Sequence, residues 1–227
     1  MQVKLVNENS LIIYFAESVS IETADYINYA YHQLQIGLSE VIQDIIPSYT
    51  SILISCNSRK IGLQAFLWRV KEILNQLDAN GADKFTSKQI ELPVYYGEEV
   101  ALDHAQISDH AGLPFSEIVR LHTSTCYRVF AIGFAPGFAY LGNTPSQIAM
   151  PRKVNPRTHV PTGSVGIADR QTAVYPRHSP GGWQIIGRTP INLLDINEIN
   201  LSKFSMGDQV QFKSIDKHEF LFLGGKL

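Results

Sequence analysis

Between Gly133 and Arg188 the chain gathers the residue types from which an anion-binding site is made. Arg152, Lys153, Arg157, Arg170, Arg177 and Arg188 lie along a run punctuated by proline, and no carboxylate occurs between Met150 and Ala168. A guanidinium presents a planar fork of donors that matches a carboxylate or a phosphate. The alternative for part of this set is plain solvated surface charge. Upstream, Gly133-Phe134-Ala135-Pro136-Gly137-Phe138-Ala139-Tyr140-Leu141-Gly142 places a Pro-Gly turn among three aromatic rings. Such a turn offers aromatic surface and free backbone amides to a small polar ligand, or else it is a barrel corner whose rings fill a core. Downstream, Ser179-Pro180-Gly181-Gly182-Trp183-Gln184 permits a sharp reversal with exposed amides, one outcome being an anion-accepting nest. Trp183 either stacks on a ligand or plugs the core.

Proton transfer has two weak candidates, the adjacent Asp103 and His104. His122 falls four residues after Ile118 on the apolar side of a predicted helix, which reads as a core histidine. Other chemistries find no support. The chain has no GxxxxGK[ST] phosphate loop, no HExxH and no zinc-type Cys/His spacing, so no metal site is expected. Gly163-Ser164-Val165-Gly166 lacks the glycine two residues before the serine, where Thr162 stands, so a nucleophile elbow is not encoded.

The elements that must carry these residues come in two styles. The first part alternates strands and amphipathic helices. Val3–Val6 and Leu11–Phe15 read as a hairpin, and Val41–Ile46 and Ser51–Ser55 as two more strands. Ser20 is a predicted N-cap for a helix to about Gln35, with Ala24, Ile27, Tyr31 and Leu34 on its apolar face and Gly37 as its stop. A second helix spans Ile61 to Leu77 with a stripe of Leu63, Phe66, Leu67, Val70, Ile73, Leu74 and Leu77, ended by Asn80-Gly81. This is a small α+β unit. The polar stretch 82–89 reads as a boundary. Beyond it come a strand at Glu91–Tyr96, short helices near Ala101–Ala111 and Ser116–Ser124, and then many short strands. These are Tyr127–Phe134, Gly163–Ala168, Gln171–Tyr175, Trp183–Gly187, Ile191–Leu194, Gln209–Lys213 and Glu219–Phe222. That density of strands and Gly/Pro turns points to a barrel or sandwich.

Composition narrows the classes of function. A net charge of -2 gives no electrostatic footprint for nucleic acid. No apolar run approaches a bilayer span, and the first ten residues carry no signal-peptide core. The two cysteines, Cys56 and Cys126, lie outside any CxxC spacing, which suits a reducing cytosol, and a cytoplasmic location is expected.

Three blocks, Gly133–Gly142, Pro151–Ile167 and Ser179–Pro190, resemble the family of 5-oxoprolinase B subunits. That family is also called allophanate hydrolase subunit 1 and includes an inhibitor of a sporulation histidine kinase. The resemblance covers nearly the whole chain and is strongest from Leu92 to Pro190. The same module is similar to part of the carboxyltransferase region of urea carboxylases. The resemblance implies an α+β N-terminal domain over 1–88 and a mainly-β, cyclophilin-like barrel over 89–227, akin to carboxyltransferase subdomains C and D. It implies a heteromer with the C subunit of 5-oxoprolinase, joint action with the A subunit, and ATP-dependent opening of 5-oxoproline to glutamate. ATP, with Mg, is the implied cofactor, and whether it meets this chain, its partner or their interface stays open. The substrate- or nucleotide-binding residues implied by position are Phe134, Pro136, Gly137, Phe138, Tyr140, Arg152, Arg157, Gly163, Ser164, Gln171, Ser179, Gly181, Gly182, Trp183 and Arg188. Glu98 to Asp103 departs from the family's usual Gly-Pro-Asp-Leu-like turn, which puts the role of Asp103 and His104 in doubt. Leu113-Pro114-Phe115 also departs, at a helix cap. Two further expectations stand beside the enzyme component: a regulatory protein that inhibits a sensor histidine kinase, and a component of an allophanate hydrolase system. The last would need a Ser-Ser-Lys constellation, which the sequence does not offer.

Overall fold

A computed structural model describes residues 1–78, 81, 87–194 and 202–227. These divide into two compact units, Met1–Ser87 and Lys88–Leu227. Asn80 and residues 82–86 of the polar stretch lie outside the described residues.

In the first unit, β1 (Gln2–Leu5) and β2 (Ser10–Tyr14) pair as a hairpin, followed by α1 (Ile21–Gly37), β3 (Ile42–Pro47), β4 (Ser51–Cys56) and α2 (Leu63–Asn75). The antiparallel sheet has the order β1-β2-β4-β3. Strand alternation puts Leu11 opposite Ile54 and Ile13 opposite Ile52, all four buried. The helices bury Ala24, Ile27, Ala30 and Leu34 from α1, and Phe66, Val70 and Leu74 from α2. The Ser20 hydroxyl accepts the Thr23 amide at 3.1 Å, the cap that its type predicts. Tyr31 is only half-buried, because Ala30 takes the inward position beside Ile27 and Leu34.

The second unit begins with β5 (Gln89–Tyr95), α3 (His104–Ala111) and α4 (Phe115–Thr123). The strands β6 (Cys126–Ile132), β7 (Ala139–Gly142), β8 (Arg157–Val160), β9 (Ser164–Ala168), β10 (Gln171–Val174), β11 (Ser179–Gly181), β12 (Gln184–Arg188) and β13 (Gln209–Ile215) follow, and then α5 (Lys217–Phe222). Seven strands close into a barrel in the order β10-β7-β6-β13-β5-β12-β9, while β8 and β11 form a separate two-stranded ribbon. Every barrel pairing is antiparallel except β5 with β13. Closure leaves no sheet edge open. The barrel fits the cyclophilin-like fold that the resemblance implied.

The barrel interior is filled by Leu92, Val94, Tyr127, Val129, Val165, Ile167, Ile186, Val210 and Phe212. From α4, His122 enters this core, packed on Phe212 and Tyr127 with ring centres 4.5 and 5.2 Å away. Thr172 Oγ1 donates to the Gly166 carbonyl at 3.0 Å, so it accepts from His122 Nε2–H, also at 3.0 Å. Nδ1 is then the acceptor for the Tyr96 hydroxyl at 2.8 Å. Burial lowers the His122 pKa to about 3, and the ring is neutral. This is the satisfied core histidine expected from its place on the helix.

Two expected strands are corrected. Glu219–Phe222 is part of a helix: the Asp216 carboxylate caps it by accepting the Glu219 amide at 2.8 Å. A short apolar run does not by itself separate strand from helix, and the Asp-x-x-Glu cap decides it. Ile191–Leu194 makes only an isolated bridge, from Leu194 to Ser202. The sequence reading also passed over β7, β8 and β11, whose short Gly- and Pro-flanked runs carry little periodic signal.

Candidate functional site

Along β10 and the residue that follows it, Thr172 and Val174 point into the barrel, while Ala173 and Tyr175 belong to a second cluster on the outer face of the wall. The outer face is built from small residues there, with Ala173 paired to Gly166 and Ala168 nearby. A Cβ at Gly166 would come to 3.0 Å from Trp183 Cβ. Phe138, Tyr175 and Trp183 pack over this platform together with Val160 of the ribbon. Phe138 is the hub. Its ring meets Phe134, Tyr140, Tyr175 and Trp183 edge-on, with centroids 5.2, 4.9, 5.4 and 5.6 Å away. Edge-to-face geometry at these separations is the favourable arrangement of ring quadrupoles. Trp183 therefore lies outside the barrel lumen, and the alternative in which it plugs that core does not hold.

The rings wall a cavity of about 210 Å³ lined by Phe134, Phe138, Tyr140, Arg152, Pro156, Tyr175, Pro180, Gly181, Gly182 and Trp183. Gly181 is required by close approach, since a Cβ there would overlap the Tyr175 phenol. Burial pushes the Tyr175 pKa up, so it stands in the wall as a neutral phenol. Phe134 is at the rim, 65% exposed, with a left-handed backbone at φ 69°. Pro136 and Gly137 form the turn beneath it, closed by hydrogen bonds from the Gly133 amide to the Phe138 carbonyl and from the Phe138 amide to the Ala135 carbonyl, both 3.0 Å. Arg152 is exposed and lines the cavity, and among the described residues no ion pair neutralises it.

The loop that carries Arg152 is held by a buried carboxylate. Asp103 receives Arg157 on both oxygens at 2.8 and 2.6 Å, Lys153 Nζ at 2.9 Å and the Ile185 amide at 2.7 Å. The Lys153 amide donates to the Gly182 carbonyl at 2.7 Å, and Gln184 Nε2 to the Pro151 carbonyl at 2.9 Å. Burial by itself raises the Asp103 pKa, but the hydrogen bonds from Arg157, the Ile185 amide and Lys153 outweigh it, and the carboxyl lies below the usual range. Asp103 is ionised and its oxygens are engaged by these donors, so it clamps the loop. Arg157 turns to Asp103 and is not among the residues lining the cavity. His104 Nδ1 donates to the Ala101 carbonyl at 3.0 Å, and its ring rests against Phe115.

The remaining candidates lie apart from the cavity. Gln171 pairs with Gly142 and Ala168 in the barrel, and Ser179 pairs with Val160 in the ribbon. Gly163, Ser164 and Arg188 meet where β9 begins and β12 ends. The reading of the sequence missed Tyr175 as a wall residue; strand alternation after Thr172 was the available signal. It also left the histidines scattered, whereas the structure sets the rings of His159 and His178 side by side across the ribbon, centres 4.7 Å apart.

A family model described as carboxyltransferase domain, subdomain C and D, matches residues 1–203. The chain is 31% identical over 227 residues to the 5-oxoprolinase B subunit of Bacillus subtilis (strain 168), covering 96% of this chain and 95% of that protein. It is 34% identical over 208 residues to the 5-oxoprolinase B subunit of Escherichia coli O157:H7, covering 92% and 93%. Among solved structures, TTHA0988 is similar at a TM-score of 0.79 and 27% identity over 94% of this chain, which spans only 40% of that longer chain. The urea carboxylase of Kluyveromyces lactis, at 19% identity, shares the fold with a TM-score of 0.74 over 97% of this chain and 22% of its own. With the family model matching residues 1–203 and likeness to two B subunits over more than nine-tenths of its length, the chain belongs to the family of 5-oxoprolinase B subunits.

Proposed function

We propose that this chain is the B subunit of a cytoplasmic, ATP-dependent 5-oxoprolinase that opens 5-oxoproline to glutamate together with the A and C subunits. The supporting observation is the cavity: five aromatic rings and one guanidinium, Arg152, which no carboxylate neutralises among the described residues. In this reading the flat lactam ring packs on Phe138, Tyr140 and Trp183, and its carboxylate meets Arg152. A lactam is a stable amide; transfer of the ATP γ-phosphoryl to its oxygen activates the carbonyl carbon to water, the ring C–N bond then breaks with nitrogen leaving as the amine, and a second water releases phosphate, so that glutamate, ADP and phosphate result. This cavity does not fit Mg. Rings and a guanidinium offer a cation no carboxylate, and among the described residues no three His, Cys, Asp or Glu side chains converge. The reading therefore leaves Mg·ATP to the other two components or to a surface shared with the C subunit.

The test is glutamate release from 5-oxoproline and ATP, with this chain alone and with its A and C partners. Activity only in the full mixture is expected, and Arg152→Ala is expected to lower kcat/KM by about 10–100-fold through loss of a charge-assisted contact. Folded, bound partners with no turnover on 5-oxoproline would refute the assignment. A second, regulatory reading has one observation in its favour. Leu221, Phe222 and Leu223 stand exposed on and just after α5, the kind of apolar surface that a protein partner such as a histidine kinase covers.

A further inference from the structure

Arg188 ends β12, and its cross-strand partner Ser164 begins β9. Arg188 is 7% exposed and Ser164 is wholly buried. The other two cations of the signature blocks that leave solvent, Lys153 and Arg157, do so against the Asp103 carboxylate. Arg188 has no such partner: among the described residues no carboxylate pairs with it. Its Nη1 donates to the Lys226 carbonyl at 2.7 Å. Its Nε–H, shut off from solvent, meets no acceptor among the described residues, and the buried Ser164 hydroxyl is also without a partner there.

Burying a guanidinium without a counter-charge is unfavourable, because the charge loses its hydration. Other buried polar atoms among the described residues also lack a partner, but Arg188 Nε and Ser164 Oγ are the pair carried by directly opposed residues of adjacent strands, and that convergence marks a place where something binds. The local backbone serves this arrangement. Gly163 takes a φ of 81°, and a Cβ there would overlap the Thr189 carbonyl and approach Arg188 Cγ to 3.3 Å, so glycine leaves the arginine stem its path. A fixed positive charge excludes a metal ion, and a guanidinium beside a hydroxyl matches a group with two adjacent anionic oxygens.

We propose that Arg188 and Ser164 form an anion-binding site, separate from the aromatic cavity, that takes a carboxylate or phosphate group on Arg188 Nε and Ser164 Oγ. The segment bearing Lys226 is its cover, held where the Gly225 amide meets the Phe220 carbonyl at 2.8 Å. The site does not depend on the lactam reading.

The experiment is thermal unfolding of the full chain while inorganic phosphate replaces chloride at constant ionic strength, with 5-oxoproline and glutamate as carboxylate probes in the Arg152→Ala background, where the aromatic cavity has lost its cation. A saturable rise in Tm is expected with at least one probe, and the probe that saturates at the lowest concentration identifies the source of the anion. Ser164→Ala should weaken that response about tenfold, by loss of one hydrogen bond to a charged partner. Arg188→Met should abolish it while leaving Tm without anion no lower than wild type, since it removes an uncompensated buried charge. Arg152→Ala should leave the phosphate response unchanged. The site is refuted if no probe gives a saturable shift, or if Arg188→Met responds like wild type. Should Arg188→Met fail to fold, an unchanged response in Ser164→Ala refutes it as well.

Discussion

Phe134 holds left-handed backbone, which costs a residue bearing a Cβ about 1–2 kcal/mol, yet its ring is largely exposed at the rim of the cavity. A conformation kept at a cost, with little burial to offset it, is what the proposed ligand contact accounts for. Phe134→Gly should relieve the backbone and leave the folding stability unchanged or raise it by up to about 1 kcal/mol, while weakening 5-oxoproline binding in the assembled complex. A lower Tm with unaltered KM would make Phe134 a packing residue. His122 gives a prediction in pH. Its folded pKa of about 3 lies below the ordinary histidine value of 6.5, so the unfolded chain binds the extra proton between them. Stability is then complete above pH 6.5 and falls as pH drops toward 3, by up to about 1.4 kcal/mol per unit from this group. Histidine NMR should show one ring that does not titrate between pH 8 and 5, and His122→Gln should flatten the acid limb of the denaturation profile.

The element that decides the site is the loop from Pro151 to Arg157, which has almost no periodic structure and is fixed by bonds to Asp103, Gly182 and Gln184. Asp103→Ala leaves two cations and a buried amide without their acceptor, at a cost of about 3–5 kcal/mol. We expect a large drop in the urea midpoint, together with loss of Arg152-dependent activity. Asp103→Asn keeps the shape but not the charge, and should fall between. Because the Asp103 pKa is depressed in the folded chain, the stability it gives is present above the usual Asp range and is lost as pH falls below it. The Asp103-His104 pair was legible as chemistry in the sequence, but its kind was not. The partner that turns the carboxylate into a clamp lies 54 residues away.

For the whole molecule, the barrel closes by laying its first strand, β5, parallel to its last, β13. Removing residues 208–227 deletes β13 and opens the edges of both β5 and β6, so this truncation should leave the Lys88–Leu227 unit unfolded or aggregated by circular dichroism and size exclusion. Lys88–Leu227 expressed alone, with β13 present, should melt cooperatively on its own core. By itself the sequence determined the helices of the first unit, most strands of the second, the turn chemistry of the signature blocks and the family. These follow from periodicity, caps and residue types that act over a few positions. It also singled out Phe134, Phe138, Tyr140, Arg152 and Trp183, which sit in those blocks and line the cavity, but not Tyr175, which lies between two of them. Only the tertiary structure decided that the rings cover the outside of the barrel wall rather than fill its lumen. It alone separated Arg157, neutralised by Asp103, from the exposed Arg152 and the buried Arg188, with which no carboxylate pairs among the described residues. The physical reason is that burial and counter-charge are set by strand pairing and loop docking across tens of residues, which local pattern does not encode.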